Sequence, residues 1–317
     1  MQKEQQHDPN VLNPVKIPSG GGSRPSVGVD HEILGIDIGG TSIKAAPVDT
    51  RTGKLLAERF VVLTPNPATP GACADAVNQC AEHFQWKGAV GIGVPAVVKD
   101  GTTWTAANID SSWVGADVEG LFSRVTGLPV TVVNDADAAG YAELGFGAGS
   151  GENERGVVFI VTFGTGIGTA MFVDGILVPN LELGHMEVDG VEAEAAAAGV
   201  LVERNNWTWQ QWADKVTWYL AHIEKLFWPS RFIVGGGVSN AHEQWLHLVR
   251  LPKGTPILPA CMKNDAGIIG AAMASSLAPS LPSATSLSRW RSTSRPDCTR
   301  ASISPHQLLL LCFNVPG

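Results

Sequence analysis

Charge is scarce in this 317-residue chain. Asp, Glu, Lys and Arg make up 16% of it, against about 25% in an average soluble protein. Hydrophobic residues reach 44%, enough to bury a large core, so wholesale disorder is excluded. Basic excess is also missing: the net charge is −8, and residues 33–276 alone carry −10, because residues 277–317 hold +3 and the first 32 hold −1. A chain this acidic lacks the broad cationic footprint of a nucleic-acid binder. The five cysteines (Cys73, Cys80, Cys261, Cys298, Cys312) are odd in number and form no CxxC pair, which argues against a disulfide framework and a structural zinc site and fits a reducing, cytoplasmic setting. No apolar run approaches the ~18–20 residues of a membrane helix, and LLLLCF at 308–313 is far too short. No membrane span is expected. Glycine, by contrast, is abundant: 36 residues, above the usual ~7%, as tight turns or close backbone–ligand approaches require.

The length suits two domains or one large α/β unit. Residues 1–32 are polar and rich in Pro and Gly without periodicity, and read as a disordered leader. Residues 277–317 form a Ser/Pro/Arg-rich tail that reads the same way. Between them, apolar strands are expected at 33–38, 42–49, 54–63, 88–94 and 130–133, with helices at 70–86, 117–127 and 134–145. The pattern then restarts with strands at 156–163 and 169–175, a long amphipathic helix at 207–228, a strand at 231–236, a helix at 240–249, a strand at 255–258 and a closing helix at 265–276. Two successive units, each opening with a β-meander and a glycine turn, predict a duplicated α/β architecture with a cleft between its halves.

The chemistry-bearing residues sit at the ends of those strands. Asp37-Ile38-Gly39-Gly40-Thr41 joins the first two. Paired glycines let backbone amides approach a phosphate, Thr41 adds a hydroxyl, and Asp37 suits Mg²⁺ held through water; a plain glycine hairpin is the bland reading. Phe163 through Gly168 (FGTGIG) repeats the arrangement in the second half. It is neither a Walker loop nor a Rossmann fingerprint, since no Gly-Lys-Ser/Thr follows and a strand replaces the helix. Two such hairpins together indicate a clamp on a polyphosphate group, and Gly235-Gly236-Gly237 ends a further strand. Asn134-Asp135 stands where a strand meets a helix, the edge at which open α/β sheets bind ligands. Asp135 there suits the acceptance of a proton from an attacking hydroxyl, and helix capping accounts for the position equally well. Asp137 reads as a solvated or capping residue. Glu182-Leu183-Gly184-His185 brackets a glycine with two polar side chains, as hydrogen bonding to vicinal hydroxyls would require, although a lone loop histidine is more often simply a surface residue.

Taken in order, DIGGTSIK, GVP, AAN, VNDADAAG, TFGTGIG, ELGH and GGGVS resemble the ROK sugar kinases, a branch of the actin-like, hexokinase-like (ribonuclease H-like) fold, over about 33–276. TPNPATP, TAANIDSSWVG, FVDGILVPNLELGHMEVDG, HIEKLFWPSRFIVGGGVS and NDAGIIGAAMA bring the likeness closest to the polyphosphate glucokinase branch. The resemblance implies Asp135 as catalytic base. It implies Asn108, Asn134, Glu182, His185 and Glu194 as sugar-binding residues. It further implies Asp37, Gly39, Gly40, Thr41, Thr165, Gly166 and Gly168 as phosphate loops and Gly236 and Gly237 as the adenosine-side motif. Lys44, Arg204, Lys215, Lys225 and Arg231 are the cations available to a polyanion if they face the cleft. The Cys-rich zinc motif of typical members is missing, as it is in the branch resembled, and AAAAGVLVER after Glu194 departs from the usual mixed polar helix.

The resemblance implies a glucokinase that uses inorganic polyphosphate, with ATP as an optional second donor, with Mg²⁺ and no structural zinc. The expected fold has two α/β domains, 33–133 with the closing helix 265–276 and 134–264, and a homodimer is left open. A strictly ATP-dependent kinase for glucose or another hexose is the alternative within enzymes. A sugar-sensing regulator is disfavoured, because the 32-residue leader is too short and too rich in Pro and Gly for a helix-turn-helix.

Overall fold

A computed structural model describes residues 31–107 and 109–278. The disorder expected of residues 1–30 and 279–317, and the sugar-binding role expected of Asn108, lie outside the described residues.

The first half is built on β1 (Glu32–Ile38), whose apolar run is buried on both faces, as a central strand covered by helices requires. It pairs antiparallel with β2 (Ser42–Asp49) across the Gly39-Gly40 turn and parallel with β5 (Val90–Val94), which pairs with β8 (Val130–Asn134). The single strand expected over 54–63 is two: β3 (Lys54–Leu55) and β4 (Phe60–Leu63) pair with opposite ends of β2. Pro47 lies between those ends and has no N–H to donate, so the ladder breaks there. Helix α1 (Pro70–His83) is capped by Thr69 and started by its proline, and ends three residues earlier than expected because Gln85 turns to a left-handed φ of 49°. It packs with α2 (Val118–Thr126) over one sheet face, around Ile36, Cys73, Val77, Trp113 and Phe122. A small hairpin, β6 (Val98–Lys99) and β7 (Thr102–Thr103), precedes α2.

After α3 (Asp135–Phe146) the second half repeats the plan. Strands β9 (Val157–Phe163), β10 (Ile167–Val173), β11 (Ile176–Val178), β14 (Arg231–Gly235) and β15 (Ile257–Pro259) lie in the order β11-β10-β9-β14-β15, matching β3-β2-β1-β5-β8 strand for strand. In both sheets the hairpin neighbours are antiparallel and the crossover neighbours parallel. The duplication expected from the repeated pattern is therefore present. Between β11 and β14 come a hairpin of β12 (Glu187–Val188) and β13 (Val191–Glu192), the short helices α4 (Ala193–Ala197) and α5 (Leu201–Arg204), and the amphipathic α6 (Trp209–Phe227). Helix α6 buries Trp212, Val216, Tyr219 and Ile223 against Phe159, Phe163 and Phe232. The helix expected over 240–249 is instead α7 (His242–Trp245) between two tight 3-10 turns. Trp245 donates its indole N–H to the Val238 carbonyl and packs edge-on against Trp212, and burying that ring folds the segment back on itself.

Two helices fill the space between the sheets. Helix α8 (Ala266–Leu277) lies on β1 and β5, α3 lies on β9 and β10, and the two pack on each other. The packing is close enough that a Cβ on Gly91 of β5 would overlap the Ala271 carbonyl of α8, and one on Gly270 of α8 the Ala138 carbonyl of α3. Only glycine fits at these positions, and the contact fixes where the N-terminus of α3 points.

Candidate active site

The C-terminal ends of β1, β8, β9 and β14 meet over two adjoining chambers. One, of about 280 Å³, is lined by Gly39, Gly40, Asn134, Asp135, Thr165, Gly166, Gly168, Glu182, His185 and Glu194. The other, of about 190 Å³, is lined by Asp37, Lys44, Asp135, Gly235, Gly236, Gly237, Lys263 and Asn264. Asp135, Ala136, Thr162 and Gly236 border both. Asp135 is the only titratable group among these four, and it stands where the chambers join.

The backbone explains that placement. Asn134, the last residue of β8, caps α3: its Oδ1 accepts the N–H groups of Ala136 and Asp137 at 2.9 and 3.1 Å, and its Nδ2 donates to the Ala96 carbonyl at 3.2 Å. The capping role thus belongs to Asn134, which leaves Asp135 as the first helical residue facing the chambers. Burial and then the Asp37 charge push the Asp135 carboxyl up to about 7, against the lowering effect of the Ala136 N–H, with smaller contributions from Glu182 and Asp137. A carboxyl with this affinity for protons near neutral pH suits proton acceptance.

The second chamber has the means to face an anion. Lys44 reaches Asp37 at 3.3 Å, with both side chains partly exposed. Gly236 takes a φ of 84°, and a Cβ there would strike the Phe163 backbone, so the β14 turn runs directly against the β9 end. Of the other cations considered from sequence, Lys215 lines an outer groove beside Trp207 and Trp218, Arg231 bonds Asn153, and neither Arg204 nor Lys225 borders either chamber. Lys263, which carried no sequence signal, does border the second chamber.

In the first chamber the carboxylates have distinct duties. Glu194, on α4, accepts the Ile167 N–H at 2.8 Å and sits against Gly166, where a Cβ would collide with it. It therefore holds the second glycine hairpin as well as facing the chamber. His185 lies in the 3-10 turn Leu183–His185, with Nδ1 at 2.6 Å from Glu192 and Nε2 at 3.9 Å from Glu182. The Glu192 hydrogen bond, opposed by partial burial, raises the imidazole pKa. Burial raises that of Glu182, against the lowering influence of His185. Thr41, grouped from sequence with the phosphate loops, is exposed and borders neither chamber. Gly39 and Gly40 border the first chamber rather than the second.

Asp137 corrects the sequence reading. Expected to be solvated or capping, it is 1% exposed, and its Oδ2 accepts the Asn180 N–H at 2.9 Å. The cause is packing: Asp137 lies on the α3 face turned toward the loop that carries Glu182. Burial pushes its carboxyl up to about 7.

Residues 33–200 match the family model described as ROK family. Over 252 residues the chain is 46% identical to a polyphosphate glucokinase of Mycobacterium tuberculosis (strain CDC 1551 / Oshkosh), covering 79% of this chain and 94% of the relative. It is similar in structure to an inorganic polyphosphate/ATP-glucomannokinase from Arthrobacter sp. strain KM, with 45% identity, a TM-score of 0.73 and coverage of 77% of this chain and 98% of the other. A ROK family glucokinase from Streptomyces griseus, solved with glucose and AMPPNP, is 29% identical at a TM-score of 0.66, covering 76% and 98%. The fold is the actin-like, hexokinase-like one expected from the sequence. The chain belongs to the ROK family.

Proposed function

We propose that this chain is a glucokinase that transfers a terminal phosphoryl group from inorganic polyphosphate, and from ATP, to the 6-hydroxyl of glucose. Its relatives' names point to that reaction. The observation that carries it onto this chain is the position of Asp135, the titratable group common to two adjoining chambers. Glucose occupies the first chamber, where Asn134, Glu182, His185 and Glu194 offer hydrogen bonds to its hydroxyls. The donor enters the second, between Lys44, Gly236 and Gly237.

Asp135 accepts the proton of the 6-hydroxyl as that oxygen attacks the terminal phosphorus, and the shortened donor leaves with the bridging oxygen's electron pair. The Gly39-Gly40 and Thr165-Gly166 turns border the first chamber, and backbone amides of such turns are the donors that stabilise charge on a transferred phosphoryl group without reorganising. Asp37 would hold Mg²⁺: it borders the donor chamber, with one carboxylate oxygen beside the amine of Lys44. Mg²⁺ keeps much of its hydration shell, so a single protein carboxylate with phosphate oxygens and water can complete its coordination. Bound there, Mg²⁺ would neutralise donor charge. The two halves, 33–133 with 265–276 and 134–264, act as lobes that close over the sugar and keep water from the donor. The enzyme works in the cytoplasm, the reducing setting that the free thiols of Cys73, Cys80 and Cys261 fit.

Incubation of purified protein with glucose, Mg²⁺ and either ATP-free polyphosphate or ATP tests this. Glucose 6-phosphate from both donors is expected. Product from ATP alone would favour a strictly ATP-dependent kinase, a reading that the net charge of −10 over residues 33–276 supports.

A further inference from the structure

Helix α3 begins with Asp135 and carries Glu143 eight residues on, about 12 Å along the helix axis. Glu143 is 1% exposed, and among the described residues it has no cationic partner. Its carboxylate instead accepts three backbone N–H groups: Ala148 at 2.9 Å and Cys261 at 3.1 Å on Oε2, and Met262 at 2.7 Å on Oε1. A buried carboxylate persists only when hydrogen bonds replace its water. Here those bonds reach a segment 118 and 119 residues away in the chain.

That segment leads directly into the donor chamber. Cys261 and Met262 precede Lys263 and Asn264, which border the chamber together with Glu143 itself. Lys263 takes a left-handed φ of 49°, and Asp265 N–H closes the turn on the Met262 carbonyl at 3.0 Å. Lys263 and Lys44 are the two cations bordering this chamber, and Lys44 is engaged by Asp37. Three N–H donors engage the Glu143 oxygens, so the side chain is held to the backbone of Ala148, Cys261 and Met262. Glutamine could not substitute fully, because its amide would turn an N–H toward an N–H.

We propose that Glu143 is a positioning residue for the phosphoryl donor: it pins the 261–262 segment so that Lys263 and Asn264 meet the donor's phosphates at a set distance from Asp135 on the same helix. The inference rests on the kinase reading above. One rigid element thereby carries the proton acceptor at its start and the anchor of the donor loop two turns later.

Initial rates of wild type, Glu143→Gln, Glu143→Asp and Lys263→Ala, with glucose and donor varied in turn and with polyphosphate and ATP tried separately, test the assignment. Both Glu143 variants should raise donor KM about tenfold, the equivalent of ~1.4 kcal/mol, while glucose KM stays within about twofold. Lys263→Ala should shift the same parameter. A merely structural role would lower the active fraction, and so kcat, without moving either KM. A folded Glu143→Gln with unchanged donor KM overturns the proposal. So does an equal rise in glucose KM, an unchanged donor KM in Lys263→Ala, or failure of both Glu143 variants to fold, since the carboxylate would then serve the fold at large. If wild type made no sugar phosphate from either donor, the kinase reading would fall and this inference with it; an active wild type with an unmoved donor KM overturns this inference alone.

Discussion

Asn180 links Asp137, on helix α3, to Val98 in the β6 hairpin. The Asp137 carboxylate accepts the Asn180 N–H at 2.9 Å, and the Asn180 side chain both accepts from Val98 N–H at 2.9 Å and donates to the Val98 carbonyl at 2.8 Å. Helix α3 and the β6 hairpin thus share one loop residue as hydrogen-bond partner. Asp137→Ala leaves the half-buried Asn180 N–H without this partner and should cost about 1–3 kcal/mol, read as a lower midpoint in urea unfolding. Asp137 and Asp135, both raised to about 7, hold protons in the folded chain that the unfolded chain has released. Stability of the ligand-free protein should therefore fall as pH rises from about 4 to about 7. Asp137→Asn should flatten that slope in thermal melts run across the window, and an unchanged slope would contradict the raised carboxyl.

Asp135→Asn keeps the shape of the side chain and the Asn134 cap while removing the proton acceptor. We expect kcat to drop ~10²–10⁴-fold with a thermal midpoint close to wild type and little change in glucose KM. Wild-type activity should rise with pH through an apparent pKa near 7 in kcat/KM for glucose, because the carboxyl must be ionised to accept the proton. That acid limb should vanish in the variant's residual rate. A near-wild-type rate for Asp135→Asn would remove the base from the mechanism.

Glu182→Ala and His185→Ala should act on the sugar. Each unpaired hydroxyl partner is worth roughly 1–3 kcal/mol, so glucose KM should rise about five- to a hundredfold while donor KM moves less. Glu192→Gln removes the principal cause of the raised His185 pKa, so the imidazole titration followed by NMR should shift to lower pH. Unchanged glucose KM in both alanine variants would separate these residues from sugar binding.

The donor chamber has two lysines to set against a chain that is −10 over residues 33–276. Long-range steering of a polyanion is poor under such a field, so binding falls to groups within a Debye length, ~8 Å at physiological salt. KM for polyphosphate should rise steeply across a salt series, and KM for ATP less so, since ATP meets fewer cations. Equal salt slopes for both donors would contradict this account.

The sequence alone determined the strands and most helices, the glycine hairpins and Asn134-Asp135, because these depend on local physics: β-branched runs, Gly and Pro at turns, a capping residue where a strand ends. The repeated order of those pieces was enough to predict the duplicated sheets. Tertiary structure decided what the pieces face. It assigned the cap to Asn134 and the chamber junction to Asp135, a choice that position along the chain left even. It buried Asp137, whose surroundings come from a loop 43 residues away, and broke the 54–63 strand at the register of Pro47. It also joined Glu143 to Cys261 and Met262 across 118 and 119 residues, bringing Lys263 into the donor chamber. A carboxylate in a helix reads from sequence as a solvated face, and only the packing of α3 beneath that loop makes it an anchor.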